Sequence, residues 1–90
     1  MFRPKLQYFE GEKEYVRLVT TTEQLLIYRR LKDIEEQLEP PFVRVHNSYI
    51  VNTKQLNKIQ DNHIYIAGKQ IPISEKFRDG LMAVIQQRIF

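Results

Sequence analysis

The paired prolines of Glu39-Pro40-Pro41 constrain this chain more than any other feature. Neither can donate a backbone N–H, and each pushes the residue before it out of the helical region. They split 90 residues into two stretches. A chain this short hides only about 60–65% of its unfolded surface and cannot divide that between two cores. Both stretches must therefore share one core, and a single domain is expected. With 42% hydrophobic and 28% charged residues the chain has ordinary globular composition. No cysteine is present, so disulfides and thiolate metal sites are excluded and packing has to supply the stability. Its longest apolar runs, such as Leu25-Leu26-Ile27-Tyr28, fall far short of the roughly 18 residues of a membrane helix. A soluble, cytoplasmic domain without a targeting segment is the expectation.

Ahead of the prolines, Tyr15–Thr20 and Gln24–Arg29 are β-rich runs joined by Thr21-Thr22-Glu23, which reads as a hairpin. Leu31, Ile34 and Leu38 then recur at helical spacing over about two turns, ended by the prolines. So short a helix has to lie on the sheet through those three side chains. Beyond the prolines Phe42–His46 alternates, Ser48–Val51 follows, and Leu56 with Ile59 offers a third run. Asp61-Asn62 and Ala67-Gly68-Lys69 punctuate His63–Ile66 and Gln70–Ile73, giving a meander. Pro72 lacks a donor, which places its strand at an edge. Ser74 can cap a final helix whose Phe77, Leu81, Val84 and Ile85 share one face, with Gly80 as a local weakness. The expected fold is mainly β: small antiparallel sheets with one short helix and a C-terminal helix.

Charge is distributed unevenly. Residues 1–39 balance at −1 and residues 40–90 at +4, and no acid lies between Pro40 and Gln60. That acid-free stretch holds Arg44, His46, Lys54 and Lys58, so it offers an anion no local repulsion; a solvated basic face explains it equally well. Within it, two apolar strands flank a polar elbow of His46, Asn47 and Ser48. Such an elbow on a rigid strand pair can present small polar groups to a partner, although Asn and Ser are also ordinary turn residues.

The run Phe42-Val43-Arg44-Val45-His46-Asn47-Ser48-Tyr49-Ile50-Val51-Asn52 resembles the central signature of LytTR DNA-binding domains. Two further landmarks agree in order and spacing: the short helix before the Pro-rich step, and Gln70-Ile71-Pro72-Ile73-Ser74, which is similar to the family's "IPIS" stretch. Leu6–Glu10 matches its early strand, so the resemblance spans roughly residues 5–85. Two departures stand out. The family usually carries a further strand or hairpin before the place of Leu6, and Arg30 sits where a Ser or Thr cap is usual. The 90 residues are accordingly expected to be one LytTR-like domain without that first strand or an N-terminal receiver domain.

The resemblance implies an elongated fold whose loops enter successive major grooves of a bent duplex, regulating transcription as the effector domain of a response regulator. It further implies double-stranded DNA as partner, two copies on repeated half-sites, and a receiver domain in the full-length protein. Carried onto matching positions, His46 and Asn47 read bases, Lys13 in the Gly11–Glu14 loop lies near a second contact region, and Lys76 is the C-terminal basic contact. An Asn amide in the right orientation accepts from adenine N6 and donates to N7; a His donates one hydrogen bond to a base or phosphate. Arg44, Lys54, Lys58, Lys76 and Arg78 would supply salt-sensitive phosphate contacts. Arg44 has a rival reading as the solvent face of its strand, and Asn52 reads best as a side chain tying down a turn.

No enzyme is expected. Ser48 and His46 lack an orienting acid or oxyanion site, and His46 and His63 match no metal-ligand spacing. No cofactor is implied. Tyr8, Phe9, Tyr15 and Tyr28 lie at strand spacing, where core packing outweighs base stacking by RNA. The alternative to DNA binding is a protein-interaction module on the same scaffold, motivated by Glu10, Glu12 and Glu14 clustered around a DNA-facing loop.

Overall fold

Alternation of apolar residues builds two antiparallel sheets. In the computed structural model, which describes residues 5–39 and 41–89, the elements run β1 (Leu6–Glu12), β2 (Tyr15–Thr20), β3 (Gln24–Ile27), α1 (Leu31–Glu35), β4 (Phe42–His46), β5 (Tyr49–Asn52), a single 3-10 turn (Thr53–Gln55), β6 (Lys58–Gln60), β7 (His63–Ile66), β8 (Lys69–Pro72) and α2 (Glu75–Ile89). The first five strands pair in the order β3-β2-β1-β5-β4 and the last three in the order β6-β7-β8. Pro72 does sit on an edge strand. The principal extents are 34 × 33 × 23 Å.

The five-stranded sheet is buried on both faces, because adjacent residues of its strands point opposite ways. Tyr8, Val19, Val45 and Val51 face Ile64, Ile66, Ile71 and Leu81 from the smaller sheet and α2. Phe9, Val16 and Ile50 face Leu31, with Ile34, Leu38 and Phe42 packed around them. Ile64, Ile66, Ile71 and Leu81 are fully buried, each worth about 1.5–3 kcal/mol of transfer free energy. α1 lies on the sheet as its spacing requires, yet it ends at Glu35, short of Leu38. Gln37 N–H bonds the carbonyl of Ile34 and Leu38 N–H that of Glu35, so the coil has tightened before the prolines are reached. Pro40, read as the helix stop, lies outside the described residues. β3 also stops early, at Ile27, because Arg29 N–H turns back to the Ile27 carbonyl.

Turn chemistry sets the registers. Asp61 and Asn62 both adopt positive φ, as do Ala67 and Gly68, so both hairpins of the small sheet close through two left-handed residues that match strand twist. Gly80 lies in α2 with open space around its Cα. Gly80→Ala should therefore raise stability by about 1 kcal/mol, the helix-propensity difference, seen as a higher midpoint in urea with an unchanged slope.

Candidate nucleic-acid interface

The β4–β5 hairpin turns through Asn47 and Ser48 alone, with His46 opposite Tyr49. Among the described residues, positive φ at non-glycine positions is confined to Asp61, Asn62 and Ala67, so the elbow lacks the left-handed pair found in the two hairpins of the small sheet. Two-residue loops of that kind splay their strands. Here the mismatch is taken up by an irregularity between Arg44 and His46 and by hydrogen bonds from four directions. Gly11 N–H donates to the Ser48 carbonyl at 2.7 Å and Ser74 N–H to that of Val45 at 2.7 Å. Arg44 donates from Nη2 to the Asn47 carbonyl (2.7 Å) and from Nε to that of His46 (3.2 Å). Ser48 N–H donates to His46 Nδ1 at 3.0 Å.

That last bond assigns the imidazole its tautomer: Nδ1 accepts, so the proton sits on Nε2, whose N–H has no partner among the described residues. It also settles how the two side chains meet, because Ser48 contacts His46 through its backbone and not its hydroxyl. The His46 ring leans on Tyr49, centroids 5.7 Å apart, and the Tyr49 hydroxyl donates to Glu10 at 3.3 Å. Burial first, and the Glu10 carboxylate second, push the Tyr49 phenol above its ordinary pKa, which keeps it a donor. Asn47 itself is exposed, and its side-chain amide makes no hydrogen bond among the described residues.

Arg44 is not the solvated strand face that one of its two readings gave. Its side chain is only 16% exposed, Nη1 pairs with Glu35 of α1 at 2.8 Å, and Cζ lies 5.4 Å from the centre of the Phe77 ring of α2. It is a clamp between both helices and the elbow. Lys76 approaches that same ring, Nζ 5.3 Å from its centre, and so joins the elbow region. Lys13 does too: pairing of β1 with β5 lays Glu10 beside Tyr49, and an open cleft of about 340 Å³ is lined by Gly11, Lys13, Arg30, Lys32, Arg44 and Asn47, with Glu12 as its one acid among the described residues. Gly11 permits this closeness, because a Cβ there would stand 3.2 Å from that of Leu31. Sequence reasoning missed Arg30 and Lys32. The sign was present in Arg30, which occupies the N-cap position of α1 with no side-chain cap bond. It also missed Lys69, whose Nζ lies 6.0 Å from the Tyr49 ring centre.

The other expected cations are elsewhere. Lys54 lines a cleft with Lys5, Leu6 and Phe42, at the end of the β4–β5 hairpin away from the elbow. Lys58 sits over Tyr65 at 4.8 Å, and Arg78 donates to Asn62 at the β6–β7 turn. Asn52 ties its turn as read: Nδ2 donates to the Leu6 carbonyl at 2.7 Å and Oδ1 accepts from Lys54 N–H at 3.0 Å. Of the acids, Glu12 lies 3.5 Å and Glu10 4.0 Å from Arg17, and Tyr15 donates to Glu12. Glu10 and Glu12 thus share Arg17 on one strand face. No helix among the described residues is long and apolar enough to cross a membrane.

Comparison with known proteins agrees with this architecture. A response regulatory protein of Yersinia pestis, itself uncharacterised, is 36% identical over 83 residues, covering 86% of this chain. The chain spans 34% of that relative's length. A LytTr DNA-binding domain from Bacillus cereus superposes with a TM-score of 0.78 at 19% identity, over 90% of this chain and 81% of that one, which establishes the shared fold. The sequence profile of the LytTr DNA-binding domain family matches residues 4–86, and the chain belongs to that family, whose fold is a DNA-binding and not an enzymatic one.

Proposed function

We propose that this domain binds duplex DNA sequence-specifically, presenting His46 and Asn47 to base edges in the major groove while the adjacent cleft seats a backbone phosphate. The observation that carries this is the contrast at the elbow: its backbone groups are held by Gly11, Arg44 and Ser74, whereas the Asn47 amide and His46 Nε2–H are left without partners among the described residues. Preorganised donors and acceptors on a rigid hairpin are what base readout needs. Lys13, Arg30 and Lys32 around the cleft supply phosphate affinity, Lys76 adds to it from α2, and Arg44 acts in support by shaping the elbow. Lys54, Lys58 and Arg78 contribute through the long-range field. In the cell the domain acts in the cytoplasm as the effector of a response regulator, controlled by a receiver domain and bound as two copies on repeated half-sites.

The test is fluorescence anisotropy on a duplex selected from a randomised pool, across a salt series. The domain should enrich one sequence and bind it with steep salt dependence. Lys13→Ala, Arg30→Ala and Lys32→Ala should each weaken binding to every duplex alike and flatten the log–log salt slope by about 1. The same measurement on Lys54, Lys58 and Arg78 decides whether those cations touch DNA. If no duplex is enriched, the reading as a protein-interaction module on this scaffold takes the lead.

A further inference from the structure

We propose that the free edge of β3 is a self-association edge, through which two copies of this chain pair β3 with β3 antiparallel and join their five-stranded sheets into one. The inference is independent of the DNA reading, because β3 and the elbow-bearing strand β4 lie at opposite ends of the sheet.

Among the described residues the edge is open and unguarded. β3 pairs with β2 on one side, the register running from Val16 opposite Ile27 to Val19 opposite Gln24. Thr20 N–H donates to the Glu23 carbonyl at 2.9 Å, which sets the phase of the ladder. In an antiparallel pair that phase alternates, so Leu25 and Ile27 turn their backbone groups toward β2, and Gln24 and Leu26 turn theirs outward. Soluble proteins blunt such edges with lysine, proline or a bulge. β3 has none of these, and reads Gln-Leu-Leu-Ile into Tyr28. Leu25 is 49% exposed, Leu26 55% and Tyr28 80%, a concentration of large apolar side chains along one edge.

What fits this edge is a second copy, because the strand is complementary to itself when reversed. An acid, Glu23, stands at its start and two bases, Arg29 and Arg30, at its end. Antiparallel pairing lays Glu23 of each copy against the basic end of the other, whereas parallel pairing would set like charges together. With Leu26 opposite Leu26 of the second copy, the outward backbone groups of the two strands meet and Leu25 of one faces Ile27 of the other. Those side chains share the face of Leu18 and Val16, so the apolar floor beneath α1 becomes continuous across the join. The contact is isologous and closes on itself, giving a dimer and no fibre.

Sedimentation equilibrium on the 90-residue chain, from about 10 µM to about 1 mM, tests this. The mass should rise with concentration from 10.9 kDa toward twice that value. Glu23→Arg and Arg29→Glu should each weaken dimerisation about tenfold, since each disrupts two symmetry-related pairs, and the double variant should restore it to within about threefold. Both side chains are exposed, so the folded monomer is left intact, which circular dichroism checks. A mass that stays at one chain throughout, or a double variant no better than the singles, overturns the proposal.

Discussion

Arg44→Ala should lower the stability of the domain by about 2–3 kcal/mol, a drop in melting temperature on the order of 10–20 °C for a chain of this size. One side chain holds two carbonyls of the elbow, the Glu35 carboxylate and the face of Phe77, and it does so at 16% exposure. The ion pair is the smaller part of this. Glu35 is 41% exposed and finds water when released, and pairs of that kind are worth about 0–1 kcal/mol. The larger part is the loss of charge-assisted bonds to the His46 and Asn47 carbonyls in a turn that has no left-handed residues to hold its shape. Glu35→Gln should accordingly cost about 1 kcal/mol or less. Arg44→Lys should be nearly as damaging as alanine, because an ammonium is a point donor and cannot span two carbonyls and a carboxylate. Thermal melts of the three variants decide between clamp and ion pair: equal losses for Glu35→Gln and Arg44→Ala would place the energy in the salt bridge.

Local chemistry made most of this fold legible. The turn residues Asp61-Asn62 and Ala67-Gly68, the alternation around His46, and the spacing of Leu31, Ile34 and Leu38 each act within a few residues, and an element formed at each, although α1 stops at Glu35, short of Leu38. The signature around the elbow was likewise visible as one run of sequence. What could not be read is whatever depends on pairing between distant strands. Lys13 and Asn47 line one cleft because β1 pairs with β5, a juxtaposition that brings Glu10 to Tyr49 across 39 positions. Alternation gave the face of Arg44 but not its surroundings, since Glu35 of α1 and Phe77 of α2 converge there only once both helices are docked. For the same reason a list of basic residues could not be divided into those beside the elbow, such as Lys13 and Lys76, and those remote from it, such as Lys54.

Asn47→Ala should leave stability untouched and remove sequence discrimination. The two variants act oppositely on one turn: the Asn47 carbonyl is what Arg44 holds, and alanine keeps it, while the amide that alanine deletes has no partner among the described residues. The melting temperature should therefore stay within about 2 °C, as for an exposed position away from structural features. Binding to the selected duplex should weaken by about 10- to 100-fold, the range set by losing one bidentate base contact. Binding to unrelated duplexes, and the salt slope on any duplex, should be unchanged, because both are governed by phosphate contacts that the substitution does not reach. The ratio of specific to non-specific affinity is thus the quantity to follow. A fall shared equally by all duplexes would make Asn47 a phosphate contact. No fall at all would leave His46, whose Nε2–H is the other free group at the elbow, as its base-reading donor.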